Sequence, residues 1–379
     1  MSPVRVLHCP HAVGGNSIGL ARAERELGVE SWTVAFEPHH FGYQPDEILW
    51  HDRDKVLMRE FKRWYLLGRA VKHFDIIHFN FGCSIIDHLP RSMWGASLIK
   101  KLKWKQYELY ARIFELCDVR LLRKLHKGIV VTFQGDDARQ GDFCNANFEI
   151  SPAREVEAGY YSKMSDETKR DRIAVFTRFA DRIYALNPDL LHVLPDKAQF
   201  LPYSHVDPRE WQPVVRSHDV PTIVHAPTHR GVKGTRFVLD AISRLQREGV
   251  PLKFSIVEGV THTEARRMYE QADLVIDQLL VGWYGGMAVE AMALGKPVIS
   301  YIREGDLRFI PPAMSSQLPI IRATPSTLYD VLSEWLTVRR QELSRVGSRS
   351  RAYVERWHDP LWIANRLKRE YETIVAERG

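Results

Sequence analysis

Nine short apolar runs, spread along the whole chain and separated by longer amphipathic stretches, set the tightest limit on what this sequence can fold into. Five come first, at Val4–Leu7, Ser31–Phe36, Ile76–Phe79, Ile129–Phe133 and Ile183–Leu186. Four follow, at Thr222–Ala226, Lys253–Val257, Leu274–Ile276 and Pro297–Tyr301. Runs this short and this rich in β-branched residues read as strands buried on both faces. Their alternation with helix-length segments predicts parallel, doubly wound sheets. A chain of 379 residues is long for one hydrophobic core. The expected fold class is therefore α/β, with two Rossmann-like domains and a cleft between them. The stretch Leu201–Pro221 carries four prolines and no helical period, which places the join there. The expected divisions are residues 1–205, residues 206–358, and an amphipathic helix over 359–379.

The segment Ala272–Tyr301 is the most informative for chemistry. An apolar strand runs into an aromatic, glycine-rich turn, then into a small-residue helix that opens near Gly286 and holds Glu290, then into Gly295-Lys296-Pro297 and a second strand. A helix start of this kind presents unpaired backbone N–H groups to an anion, with one carboxylate about a turn further in. A sugar nucleotide fits such a site. Asp277, at the end of a buried strand, needs a ligand or a helix start as partner, and a structural role for it is as consistent as a catalytic one.

This segment resembles the E-x7-E region of the family 4 glycosyltransferases, whose usual form is E-G-F-G-x-x-x-x-E-A-M-A-x-G-x-P-V-I. Glu290, Ala291, Met292, Ala293, Gly295, Pro297, Val298 and Ile299 stand in register, while Gly282 occupies the position of the first glutamate. The resemblance implies the two-domain GT-B fold and retaining, metal-independent transfer from a nucleotide-diphosphate sugar, the donor being a co-substrate and no cofactor being needed. It implies that Glu290 grips the ribose and that Gly282, Tyr284, Gly285, Gly286 and Met287 surround the donor. The acceptor, a carbohydrate or a lipid-linked sugar, would enter from the N-terminal side. The family's commonest roles point to cell-surface polysaccharide or glycolipid assembly. A silent nucleotide-sugar-binding protein of the same fold and a sugar-nucleotide 2-epimerase are the alternatives.

Three other strand ends carry matching elements. Gly14, Gly15 and Asn16 form a turn before a helix expected at Ile18–Leu27. Paired glycines there allow close backbone approach, and the loop resembles the one that closes over donor phosphates. It is not G-x-G-x-x-G, so a dinucleotide is poorly supported. Gln134 and Asp136 follow the strand Ile129–Phe133 in a segment similar to V-T-x-H-G-x-D, with Gln134 in place of the histidine. An amide cannot accept a proton near neutral pH, but it can hydrogen-bond a sugar hydroxyl. Asp136 reads either as an orienting carboxylate or as a loop cap. Arg230 and Lys233 follow the strand Thr222–Ala226 and resemble the R-x5-K-G element, with the arginine spacing shortened. Two cations there can neutralise the charge on a departing diphosphate, and a solvated basic loop is the plainer reading.

A formal charge of +6 favours an anionic partner without naming one. No nucleic-acid-binding motif accompanies it, so nucleic acid is not expected. Cys9, Cys83, Cys117 and Cys144 are widely spaced and read as reduced thiols, and His8, His11 and His78 lack zinc-site spacing. The opening MSPVRVLHCPHAVGG moves straight into a strand without a leader pattern, so a cytoplasmic protein is expected. Residues 91–127 stand apart, with ten Lys or Arg against Glu108, Glu115 and Asp118, interleaved with Trp94, Trp104, Tyr107, Tyr110 and Phe114. Such a stretch reads either as an element lying on an anionic membrane or as a helix covering the first sheet with a solvated outer face.

Overall fold

The computed structural model describes residues 3–39, 41–88, 98–214 and 218–378, with the backbone alone over 98–103. Two sheets carry the described chain. The first holds β1 Arg5–Cys9, β2 Glu30–Ala35, β3 Glu47–Ile48, β4 Ile76–Asn80, β5 Gly128–Phe133, β6 Arg182–Ala185 and β7 Gln199–Phe200, in the order β3-β2-β1-β4-β5-β6-β7. The second holds β8 Thr222–His225, β9 Lys253–Ile256, β10 Leu274–Ile276, β11 Val298–Ser300 and β12 Ile321–Arg322, in the order β12-β11-β10-β8-β9. Every pairing in the two sheets is parallel. All nine apolar runs are strands. The three further strands, β3, β7 and β12, are two residues long each, too short for any pattern to reveal.

Helices cover both sheets. Along the first run α1 Asn16–Glu26, α2 Val56–His73, α3 Leu98–Phe114, α4 Cys117–Lys124, α5 Gly141–Asn147 and α6 Lys163–Phe179. The second begins with α7 Arg230–Lys233, α8 Thr235–Arg247, α9 His262–Glu270 and α10 Gly286–Ala293. α1 starts two residues earlier than expected because left-handed Gly15 turns the chain into it directly. The final helix, Pro360–Arg378, buries Ile363, Ala364, Leu367, Tyr371 and Ile374 with Val6, Leu20 and Val130 of the first unit. Full burial of each such aliphatic side chain contributes about 1.5–3 kcal/mol. Tyr371 Oη donates to Glu24 Oε1 at 3.1 Å and meets His78 Nδ1 at 2.7 Å. His8 Nε2 reaches Glu24 at 2.8 Å, so His8 and His78 belong to a buried polar network beneath this helix.

Strand order changes direction between β1 and β4 in the first sheet and at β8 in the second. Loops leaving strands on either side of such a point diverge and leave a crevice. Val13 and Gly14 after β1, Phe81 after β4, Thr228 after β8 and Gln278 after β10 all line one cavity.

Within residues 91–127, Arg91 and Trp94 lie outside the described residues, as do the side chains of Lys100, Lys101 and Lys103. Trp104, Tyr107 and Ala111 on α3 face the core of the first sheet. Trp64 Nε1 on α2 donates to Tyr110 Oη at 2.7 Å, joining the two helices. Among the described residues, no helix is long and apolar enough to cross a membrane.

Candidate functional site

The cavity between the sheets has a volume of about 700 Å³. Its floor on the second unit is the start of α10. Gly285 is extended and its N–H donates to Asp277 Oδ2 at 2.5 Å. Asp277 Oδ1 accepts from Lys233 Nζ at 2.9 Å, so the buried carboxylate at the end of β10 has both a helix start and a cation as partners. A Cβ on Gly285 would sit 2.8 Å from Lys233 Nζ, and one on Gly286 would sit 3.2 Å from His205 Cε1. A side chain at either position would press on Lys233 or His205. Lys233, Gly285, Gly286 and Met287 all line the cavity, and the first-turn N–H groups of α10 beside an ammonium form a site suited to phosphate.

Glu290, one turn into α10, is buried with its carboxylate at the cavity wall. Its Oε1 lies 2.8 Å from His262 Nε2, 3.4 Å from His205 Nε2 and 3.5 Å from Tyr43 Oη. Burial alone would raise this carboxyl, but hydrogen bonds and charge from His205 and His262 outweigh it and hold it down at about 2. The same contact raises His262 against the downward pull of burial. A carboxylate held ionised in this way is a strong acceptor for paired hydroxyls. Among the described residues His205 Nδ1 has no hydrogen-bond partner, although its side chain is 4% exposed.

The opposite wall comes from the first unit. Gln134 lines it, and its Nε2 is a buried donor without a partner among the described residues. Asp136 also lines it, but its oxygens are occupied: Oδ1 accepts from Arg139 Nη1 and Tyr161 Oη, both at 2.6 Å, and Oδ2 accepts from Tyr160 Oη at 2.7 Å. Burial works to raise Asp136, and these partners, led by the Arg139 charge, lower it. The adjacent Asp137 caps the loop by accepting the N–H groups of Gln134 and Gly135. Gly14 lines the cavity. Asn16 lines it too, but as the first residue of α1 and not its cap; its Oδ1 accepts the Ser204 N–H at 2.8 Å.

Four expected site residues do not themselves line the cavity. Arg230 pairs at its rim with the lining residue Glu258, Nη2 to Oε2 at 2.6 Å, with its side chain 60% exposed. Tyr284 is fully buried, its hydroxyl 2.8 Å from His358 Nε2 and 3.1 Å from Tyr353 Oη. Gly282 adopts φ +94°, and a Cβ there would fall 2.7 Å from Arg303 Nη1. The space a side chain would need at that position is filled by a guanidinium, which Asp306 and the Ile150 carbonyl hold in place. Gly15 lies beneath the Tyr43 ring, where a Cβ would meet Cδ1 at 2.8 Å.

Tyr43, His205 and His262 were not legible as site residues. Tyr43 sits in the connection between β2 and β3, its ring beside those of His39 and His262, and only the local run of aromatic residues could have singled it out. His205 lies in the connection after β7, and His262 opens α9, positions with no local mark of function. Among the described residues, no group of three or more His, Cys, Asp or Glu is arranged to hold a metal ion.

Neither a protein-family model nor a curated protein matches the sequence. Solved structures match the fold along nearly its whole length. Sucrose-phosphate synthase from Thermosynechococcus elongatus is 14% identical with a TM-score of 0.63, covering 99% of this chain and 100% of its own. Anabaena HepE in complex with UDP-glucose is 12% identical with a TM-score of 0.60, covering 97% and 99%. A UDP-N-acetylglucosamine 2-epimerase, 12% identical, has a TM-score of 0.51 over 99% and 98%. The fold is therefore GT-B, shared by glycosyltransferases and epimerases alike.

Proposed function

We propose that this chain is a retaining glycosyltransferase that moves a sugar from a nucleotide-diphosphate sugar to an acceptor hydroxyl. The observation that carries the reading is the arrangement at α10. An ionised, buried Glu290 stands one turn behind the glycine-opened helix start, with Lys233 beside it on the same cavity wall. The ribose hydroxyls would bond to Glu290, and the diphosphate would lie at Gly286 and Met287 with Lys233 neutralising it. The neighbour crystallised with UDP-glucose has the same fold and supports a sugar nucleotide as the donor class.

The chemistry then needs no enzyme base. The bond from the anomeric carbon to the phosphate oxygen breaks while the acceptor oxygen bonds to that carbon on the same face. The departing phosphate oxygen takes the acceptor's proton. Developing negative charge on the diphosphate is stabilised by Lys233 and the helix start, fixed before reaction. Gln134, whose Nε2 has no partner among the described residues, orients a sugar hydroxyl. Asp136 positions the wall through Arg139 and the two tyrosines. That engagement also disfavours an epimerase, which needs a free acid and base in the cleft. We place the reaction in the cytoplasm, in assembly of a cell-surface polysaccharide or glycolipid.

A thermal-shift screen across nucleotide sugars tests the donor, since a ligand at 100 times its Kd stabilises by about 2.7 kcal/mol. Transfer with the selected donor should proceed in the presence of EDTA and give a product with the donor's anomeric configuration. Inversion, or hydrolysis alone, would contradict the mechanism.

A further inference from the structure

Among the described residues, three that are not glycine hold a left-handed backbone: Phe81, Leu116 and His126. Leu116 and His126 stand just beyond the ends of α3 and α4, where a left-handed residue commonly closes a helix. Phe81 stands instead at the end of β4, with φ +59° and the left-handed Gly82 after it. A bulky side chain on such a backbone is strained. Packing accounts for the glycine, because a Cβ on Gly82 would fall 2.5 Å from Phe133 Cε1. It does not account for the phenylalanine. Phe81 is half-buried and, among the described residues, belongs to none of the hydrophobic cores on either sheet. It lines the cavity, and its ring meets that of His11 edge to face at 6.2 Å. A ring held at the cost of backbone strain, outside every core and at a cavity wall, points to a ligand.

The chemistry of that wall selects the ligand. β4 and β5 pair with Asn80 opposite Thr132, so Phe81 and Gln134 leave neighbouring strands. Their loops are in contact, since Asp137 Oδ2 would lie 3.1 Å from a Cβ on Gly82 and accepts the Gln134 N–H at 3.0 Å. An aromatic ring therefore stands beside an amide whose Nε2 has no partner among the described residues. The cation on this wall is already paired. Arg139 is held by Asp136 and Asp189, and burial pushes His11 down to about 4, so the imidazole against the ring is neutral. An anionic group gains little there. A pyranose fits, because its hydroxyls bond to an amide while its C–H face lies against the negative face of an aromatic ring. A long alkyl chain needs unbroken apolar lining, which Asn16, Gln134, Asn187 and Tyr203 interrupt.

We propose that Phe81 is the platform on which the ring of an uncharged sugar acceptor lies, with Gln134 bonding to one of its hydroxyls. The role of that sugar as acceptor rests on the transferase reading. Its place on the wall opposite Lys233 and Glu290 does not.

Saturation-transfer NMR on the full chain, with and without UDP, tests the platform. The probes are the methyl pyranosides of glucose, galactose, mannose and N-acetylglucosamine, with butanol and glycerol phosphate as apolar and anionic controls. At least one pyranoside should bind, saturated most strongly at the C–H protons of one ring face, and neither control should. Phe81→Leu, which keeps the bulk and loses the flat ring, should weaken that binding roughly tenfold, and Phe81→Trp should retain it. Phe81→Asn suits a left-handed backbone, so it should melt at or above the parent while losing the pyranoside. No pyranoside bound by the parent, parent-like binding by Phe81→Leu, or controls that bind as well as the sugars would overturn the proposal. So would a Phe81→Asn variant that melts well below the parent, because the ring would then be a packing residue. Pyranoside binding that Phe81→Leu loses, in a parent that transfers no sugar, would keep the platform and remove the transferase. Transfer to a pyranoside with a parent-like KM in Phe81→Leu would do the reverse.

Discussion

The Tyr43 hydroxyl and the Glu290 carboxylate meet across the gap between the two sheets, 3.5 Å apart. Tyr43 comes from the loop between β2 and β3, and Glu290 from the helix that floors the cavity. The ring of Tyr43 also lies 4.9 Å from that of His262, and the Phe41 carbonyl accepts the His262 N–H at 3.3 Å. One wall of the pocket around Glu290 is therefore built by the other half of the molecule.

Because the Tyr43 hydroxyl shares the acceptor that a ribose would use, Tyr43→Phe should bind nucleotide at least as tightly as the parent. Tyr43→Ala, which removes the ring as well, should bind more weakly. Titration calorimetry of both variants decides this, and weaker binding by Tyr43→Phe would show that the hydroxyl contacts the ligand itself.

The pair His262–Glu290 sets a pH dependence. His262 is raised in the folded protein, so its contribution to stability is fully present below its ordinary 6.5 and is lost as pH rises through the raised value. Glu290 is depressed to about 2, so its contribution is present above its ordinary 4.5 and is lost as pH falls towards 2. The melting difference between parent and His262→Gln should be larger between 4.5 and 6.5 than in alkaline buffer. A difference independent of pH would mean that the ion pair contributes nothing to folding.

Lys233→Ala would leave the fully buried Asp277 carboxylate without its cation, at a cost of about 3–5 kcal/mol in denaturant unfolding. Lys233→Met with Asp277→Asn should recover much of that stability, because the unpaired charge is gone. Affinity for a nucleoside diphosphate should stay low in both, since the ammonium is missing in both. Recovery of affinity by the double variant would remove Lys233 from the phosphate site.

Gly282→Glu restores the first acid of the E-x7-E pattern, yet it should not create a working site. The backbone there is at φ +94° and the side chain would enter the Arg303 guanidinium. Strain of about 1–3 kcal/mol is expected from the backbone alone. Unfolding in urea measures it, and parent-like stability with raised activity would show that the pocket can reopen.

The sheets were legible because a buried parallel strand writes its whole signal locally, as Ile129–Phe133 and Leu274–Ile276 do. The start of α10 was legible for the same reason, since the glycines that open the helix and the Glu290 behind them are neighbours in sequence. What stayed hidden depends on partners far along the chain. Arg230 is held at the cavity rim by the lining residue Glu258, Tyr284 is drawn to Tyr353 and His358, and Arg303 fills the space at Gly282. His205 and His262 reach Glu290 only through the fold, one from the connection after β7 and the other from the start of α9.

The most direct measurement is titration calorimetry of UDP and related nucleoside diphosphates into the parent and into Glu290→Gln, at one pH and salt concentration. Loss of charge-assisted bonds to the ribose should cost about 1.5–3 kcal/mol, a Kd more than tenfold higher, in a variant that stays folded. Equal affinity in a folded Glu290→Gln variant would contradict the ribose-binding site.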